Sequence, residues 1–284
     1  MTRRKSRANI GAYFPALLVG FIGLSLLLMS SARAELVFSE VRPGITAGAN
    51  YTSGDPDAPP VLILHGFLQT HEFYTVRRLH ESLAESGYTV LSPTLSLGID
   101  KRKQSLDCEA IHTHDLYEDV EEIDHWVKWL NGKHGKPVVL IGHSAGGVVM
   151  TRYLESNPEA SVAHSILVSL SYLRGEDKGR RTGPLGEYKL GFCETYPSPP
   201  AAYRSYVEWG AEKMLLALRN AASRVSVILG SADERIRKDW RDLLSSSEVQ
   251  ITNVDGANHF FDSEHEFDLL DAVEELLAEH TSEN

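Results

Sequence analysis

Several short runs of this chain are apolar at almost every position: Val61-Leu62-Ile63-Leu64, Val138-Val139-Leu140-Ile141 and Val225-Ser226-Val227-Ile228-Leu229. A brief apolar run bounded by turn residues reads as a strand buried on both faces. Leu36 to Arg42, Tyr88 to Ser92, Ser165 to Leu170 and Val249 to Val254 are further strand candidates. Between them the apolar period lengthens to that of amphipathic helices, over about 73–86, 115–130, 147–155, 201–222 and 264–279. Gly87 and Asn157-Pro158 supply stop signals for two of them. Strands alternating with helices predict an α/β fold: a doubly wound, mostly parallel sheet of about eight strands, covered on both faces. The rhythm breaks at 174–200, a stretch rich in Gly, Pro, Arg and Glu that reads as a short lid-like insertion or long loop within one domain spanning 35–284.

The start of the chain follows another pattern. Arg3, Arg4, Lys5 and Arg7 precede an uncharged apolar stretch from Ala16 to Met29, and Ala32-Arg33-Ala34 has the form of a small-residue cleavage site. Residues 1–34 therefore read as a signal peptide, with export to the periplasm or exterior as the expected destination. The alternative is an uncleaved membrane anchor, but the apolar stretch is short for a ~20-residue span. Arg3-Arg4 also hints at a twin-arginine signal. Asn50-Tyr51-Thr52 would be a glycosylation acceptor in a source that modifies exported proteins.

Charge narrows the partners. Five of the 28 basic residues and none of the 39 acidic ones lie in residues 1–34, leaving residues 35–284 at −16. That balance excludes nucleic acid as an expected partner and argues against adsorption to anionic lipid; membrane contact is expected only through an uncleaved N-terminal segment. The two cysteines, Cys108 and Cys193, are an isolated pair that an oxidising compartment would join. A metal site at Cys108, His112 and His114 is the competing use of that loop; with a pairing partner for Cys108 and no second cluster, neither metal nor other cofactor is expected.

The chemistry concentrates at Gly142-His143-Ser144-Ala145-Gly146, which follows a predicted strand and opens a predicted helix. A serine on that tight turn is lifted out of the sheet, with a helix N-terminus behind it that favours negative charge. A serine hydroxyl is a weak nucleophile until a base removes its proton. Histidine does this near neutral pH when a carboxylate holds its tautomer. The best histidine is His259, between the last strand and the last helix. The best acid is Asp233, in the loop after Val225–Gly230, ahead of Glu234, Asp255 and Asp262. The order Ser144, Asp233, His259 is the one expected when these groups converge. The oxyanion formed on attack needs two N–H donors; Ala145 offers one and Phe67, after the sharp turn at Gly66, the other, with Leu68 as runner-up.

These residues, together with His65-Gly66-Phe67 and Asn258-His259, resemble those of an α/β-hydrolase over roughly residues 36–280. The resemblance implies acyl transfer through a serine-bound intermediate, hence a carboxylesterase- or lipase-like hydrolase of carboxylic esters or thioesters with a small or lipid-like acyl substrate. The chain departs from the His-Gly-Gly oxyanion loop of some esterases by having Phe67-Leu68 after Gly66, and it lacks a large helical cap. A non-catalytic binding protein on the same fold is the alternative. For substrate contact the expectation falls on 174–200, through Arg174, Lys178, Arg180, Arg181, Tyr188, Phe192 and Tyr196.

Overall fold

A computed structural model describes residues 34–282. The expected signal segment lies outside the described residues, save for Ala34. An eight-stranded sheet forms the centre. In chain order its strands are β1 (Glu35–Arg42), β2 (Ile45–Thr52), β3 (Val61–Leu64), β4 (Val90–Thr94), β5 (Val138–His143), β6 (Val162–Val168), then β10 (Arg224–Gly230) and β11 (Gln250–Val254). Across the sheet the order is β1-β2-β4-β3-β5-β6-β10-β11. Only β2 runs against the others; the pairs from β4 through β11 are all parallel. The middle strands β3 and β5 are buried at every residue, which is why they lack the polar alternation of a half-exposed strand.

Helices α1 (Tyr74–Glu85) and α7 (His265–Ser282) cover one face. Their Val76, Leu79, Leu83, Leu269, Val273 and Leu276 pack on Val61, Ile63, Val139, Ile141 and Ile228. The other face carries α2 (Leu116–His134), α3 (Ala145–Ser156), α4 (Pro200–Val207), α5 (Ala211–Asn220) and α6 (Lys238–Ser245). Asp115 caps α2: its side chain accepts from the Glu118 N–H while Glu118 returns to the Asp115 N–H. Among the described residues, no helix is long and apolar enough to cross a membrane.

The 174–200 segment is more ordered than a loop. It holds a separate antiparallel sheet of β7 (Gly175–Thr182), β8 (Leu185–Leu190) and β9 (Cys193–Ser198). Its inner face presents Tyr188, Leu190, Cys193 and Tyr196, all at most 1% exposed. Tyr188 stacks on Tyr203 of α4 with ring centres 3.8 Å apart, and Tyr196 stacks on His112 at 4.1 Å. Cys108 and Cys193 form a disulfide, tying this sheet to the loop after β4. The predicted single helix over 201–222 is broken into α4 and α5, because Gly210 interrupts it and caps the second half.

Candidate active site

Ser144 sits between β5 and α3 with φ 53° and ψ −119°, a left-handed region that non-glycine residues avoid. Such a conformation costs about 1–3 kcal/mol and must be held by its surroundings. Here the Ser144 N–H donates to the Val168 carbonyl at 2.8 Å, and the Ser144 carbonyl accepts from Gly147 at 2.9 Å. Gly146 is required by contact rather than by φ. A Cβ there would lie 2.7 Å from the carbonyl oxygens of both Leu64 and His65, so only glycine lets α3 close on the end of β3.

Three loops leaving the carboxyl ends of β5, β10 and β11 bring their side chains together. The Ser144 hydroxyl lies 2.9 Å from His259 Nε2. On the other side of the ring, His259 Nδ1 lies 2.8 Å from Asp233 Oδ2. The carboxylate can only accept, so Nδ1 carries the proton and Nε2 faces the serine with its lone pair. Asp233 Oδ1 accepts from the Arg235 N–H at 2.9 Å. Burial alone would raise the Asp233 carboxyl. The hydrogen bond and charge of His259, the Arg235 N–H and the Ser169 hydroxyl outweigh it and hold the group below the usual carboxylate range. The rival acids are occupied elsewhere: Asp255 accepts from the Ser231 hydroxyl, Asp262 accepts from Asn258, and Glu234 is exposed.

Two further residues fix the His259 loop. His143 Nε2 donates to the His259 carbonyl at 3.0 Å, and the Ser169 hydroxyl donates to the same oxygen at 2.9 Å. Burial and the neighbouring His259 push the His143 ring down to about 4, so it is neutral. Ser169 escapes a sequence reading aimed at acids and bases. Its one signal is a polar residue at the carboxyl end of a buried strand.

Ala145 is the first residue of α3, so its N–H has no intrahelical acceptor. Phe67 lines the same cleft as Ser144, whereas Leu68 is turned into the core at 3% exposure. His65 steadies this turn: Nδ1 donates to the Gly66 carbonyl at 2.8 Å, and Nε2 accepts from the Leu95 N–H at 3.1 Å. Burial and the nearby Arg102 push the His65 ring down to about 3. Arg102, itself buried, donates to the carbonyls of Leu95, Gln69 and Gln104 and so joins the two loops.

The cleft encloses about 540 Å³ and is walled by Phe67, Leu173, Phe192 and Phe260. Of the residues expected to contact substrate from 174–200, Arg174 and Phe192 line it. Tyr188 and Tyr196 do not; they are core residues of the small sheet. Lys178 and Arg180 pair with Glu187, and Arg181 pairs with Asp177 and lies over the Tyr188 ring; none of the three lines the cleft. Lys189, which the sequence reading passed over, lines the cleft. Cys108 is committed to its disulfide, while His112 Nε2 donates to the Cys108 carbonyl and His114 bonds Tyr206, so this loop does not converge on a common centre.

The alpha/beta hydrolase family matches residues 61–273, and the chain belongs to that family. In shape it is similar to Est1E from Butyrivibrio proteoclasticus, with a TM-score of 0.67 at 16% identity over 87% of this chain and 99% of that one. Est1E is also known with ferulic acid bound. The thioesterase domain from the curacin biosynthetic pathway gives 0.59 at 16% identity, covering 87% and 99%. The dienelactone hydrolase from Anabaena variabilis gives 0.59 at 14%, covering 86% and 96%. At these identities the likeness is one of fold. A search of curated proteins finds no match by sequence.

Proposed function

We propose that this protein is an exported serine hydrolase that cleaves a carboxylic ester or thioester through an acyl-serine intermediate. The observation that carries the reading is the unbroken chain of hydrogen bonds from Ser144 through His259 to Asp233 at the base of an aromatic cleft. In the proposed reaction Ser144 Oγ attacks the carbonyl carbon while its proton passes to His259 Nε2. Asp233 steadies the imidazolium through Nδ1–H. The oxyanion takes N–H bonds from Ala145 and Phe67, each worth about 3 kcal/mol to the transition state. His259 then protonates the departing alkoxide or thiolate. Water, deprotonated by the same nitrogen, releases the acid and returns Ser144 to its starting form.

Export is supported by the basic, apolar and small-residue pattern of residues 1–34 and by the disulfide, a bond of oxidising compartments. Turnover of acetyl, butyryl, octanoyl and feruloyl esters and of acyl thioesters, compared between the parent and Ser144→Ala, tests the activity. Loss of turnover in the variant, with labelling of the parent by a fluorophosphonate, is the expected result. A parent protein that turns over none of these and takes no label refutes the reading and leaves a binding protein on a hydrolase fold.

A further inference from the structure

Residues 35–284 carry a formal charge of −16, yet the cleft is rimmed by Arg174, Lys189, Arg235 and Arg237 against a single acid, Glu176. Two of these charges are already answered. Lys189 bonds Glu194 and stands opposite Glu176 in the β7–β8 register. Arg237 forks onto Asp239, with contacts of 3.0 and 3.1 Å, whereas Arg174 makes no ion pair among the described residues and feels the Asp239 charge only at a distance. Arg235 is set apart by what its guanidinium lies against. Its guanidinium makes no ion pair and no side-chain hydrogen bond among the described residues. It lies over the Phe260 ring at 4.7 Å and near the Phe192 ring at 6.0 Å. An exposed arginine held between two aromatic faces keeps all five N–H donors free for a planar anion.

Its position says which part of a substrate it meets. Phe260 follows His259 in the chain, and its ring stands edge-on to the imidazole at 5.2 Å. The group that His259 protonates is the leaving group, so the leaving group departs on the side where Arg235 waits. Resting on the reading of Ser144 and His259 as an ester-cleaving pair, we propose that the preferred substrates are esters whose leaving group carries a carboxylate, which Arg235 binds. The surplus of positive charge at the rim draws such anions to an otherwise acidic protein.

The test compares phenyl butyrate with 4-carboxyphenyl butyrate in the parent, Arg235→Gln and Arg235→Lys, with released phenols quantified by chromatography. The difference in intrinsic reactivity of the two esters cancels when their kcat/KM ratio is compared between proteins. Arg235→Gln lowers the carboxylate-to-neutral ratio by about tenfold or more, as expected for losing a hydrogen-bonded charge. Arg235→Lys restores part of it, and about 0.5 M salt reduces it in the parent. The matched acyl-side pair, p-nitrophenyl hydrogen glutarate and p-nitrophenyl butyrate, keeps its ratio in Arg235→Gln. A ratio unmoved on the leaving-group side, or one that falls on the acyl side instead, overturns the proposal. Binding gives a judgement independent of turnover: on a Ser144→Ala background, 4-hydroxybenzoate binds more tightly than phenol by NMR titration, and adding Arg235→Gln removes the difference. Equal binding with and without Arg235 overturns the proposal as well. Absence of any Ser144-dependent hydrolysis refutes the esterase reading, and the titration still decides the role of Arg235.

Discussion

Replacing Gly146 by alanine adds one methyl group at the point where α3 meets the end of β3. The new Cβ would sit 2.7 Å from two carbonyl oxygens, those of Leu64 and His65, where ordinary contact begins near 3.4 Å. Neither neighbour is a side chain that can swing aside, so the helix start and the strand end must part by about 0.7 Å. Forcing a group into a closed site of this kind costs about 1–3 kcal/mol, equivalent to a fall in melting temperature of roughly 2–12 °C for a domain this size. The displacement acts on the turn that carries Phe67 on one side and on the Ala145 N–H on the other. Moving the proposed oxyanion donors by a substantial fraction of an ångström lowers kcat by about 10–100-fold. The assay is kcat and KM on p-nitrophenyl butyrate beside a thermal melt, with Gly132→Ala as the control. Gly132 is an exposed glycine in α2 with nothing within 4 Å of a new Cβ, and alanine there stabilises by up to about 1 kcal/mol. If Gly146→Ala melts with the parent and keeps its kcat, the close approach of α3 to β3 does not hold the site and the reasoning fails.

Asp233→Asn removes the carboxylate that fixes the His259 tautomer, and kcat falls by about 10⁴-fold while the protein still folds; a loss smaller than about tenfold in steady-state assays would show that another acid serves. Ser169→Ala leaves the His259 carbonyl with the His143 bond alone and costs about 1 kcal/mol in urea unfolding, with a rise in melting temperature as the refuting result. Burial pushes His65 down to about 3 and His80, His112 and His143 to about 4. A histidine with a depressed native pKa contributes stability that is present above about pH 6.5 and is lost as pH falls toward its native value. Buried Glu122, raised to about 7, has the opposite sign but is one group against four. The urea midpoint is therefore lower at pH 5 than at pH 7.5, and a midpoint that climbs on acidification contradicts this. Replacing both cysteines by serine reopens a loop spanning 85 positions and costs about 4.5 kcal/mol by the chain-entropy argument, read as a drop of roughly 9–18 °C in the melt; an unchanged melt refutes it.

What could be read before folding depended on how local each signal is. The strands β3, β5, β6 and β10 announce themselves because both their faces are largely buried and most of their positions are apolar. Ser144 and Asp233 each follow such a strand and His259 follows the more exposed β11, which places all three at one edge of the sheet. Strand β2, with the sequence ITAGANYT, has little β-branched character and no clear alternation; it exists because β1 and β4 flank it. Helix α6 offers only Trp240 and Leu244 as buried positions, one turn apart, too short a period to see. In the 174–200 segment the alternation was present, with Gly186, Tyr188 and Leu190 inward and Glu187 and Lys189 outward, but flanking glycines and charges obscured it. That alternation also explains the misassigned aromatics: Tyr188 and Tyr196 fall on the inward register, and Phe192 sits in the turn between strands, where it is free to reach the cleft. The role of Arg235 has no local signature at all, since it depends on the acids the fold pairs with Lys189 and Arg237 and on the rings it sets against the guanidinium.

Phe67 packs against Phe192 at 5.7 Å and against Tyr196 at 5.8 Å, and Tyr196 in turn covers His112 in the loop bonded through Cys108. One wall of the cleft is thus shared by three segments far apart in the chain. For anyone redesigning this enzyme's selectivity, the small sheet is not an exchangeable module. A graft of residues 175–198 from a relative would bring a foreign surface against Phe67 and leave Cys108 without its partner. The practical unit of exchange is the small sheet together with the 95–115 loop and the Gly66-Phe67 turn, moved as one piece.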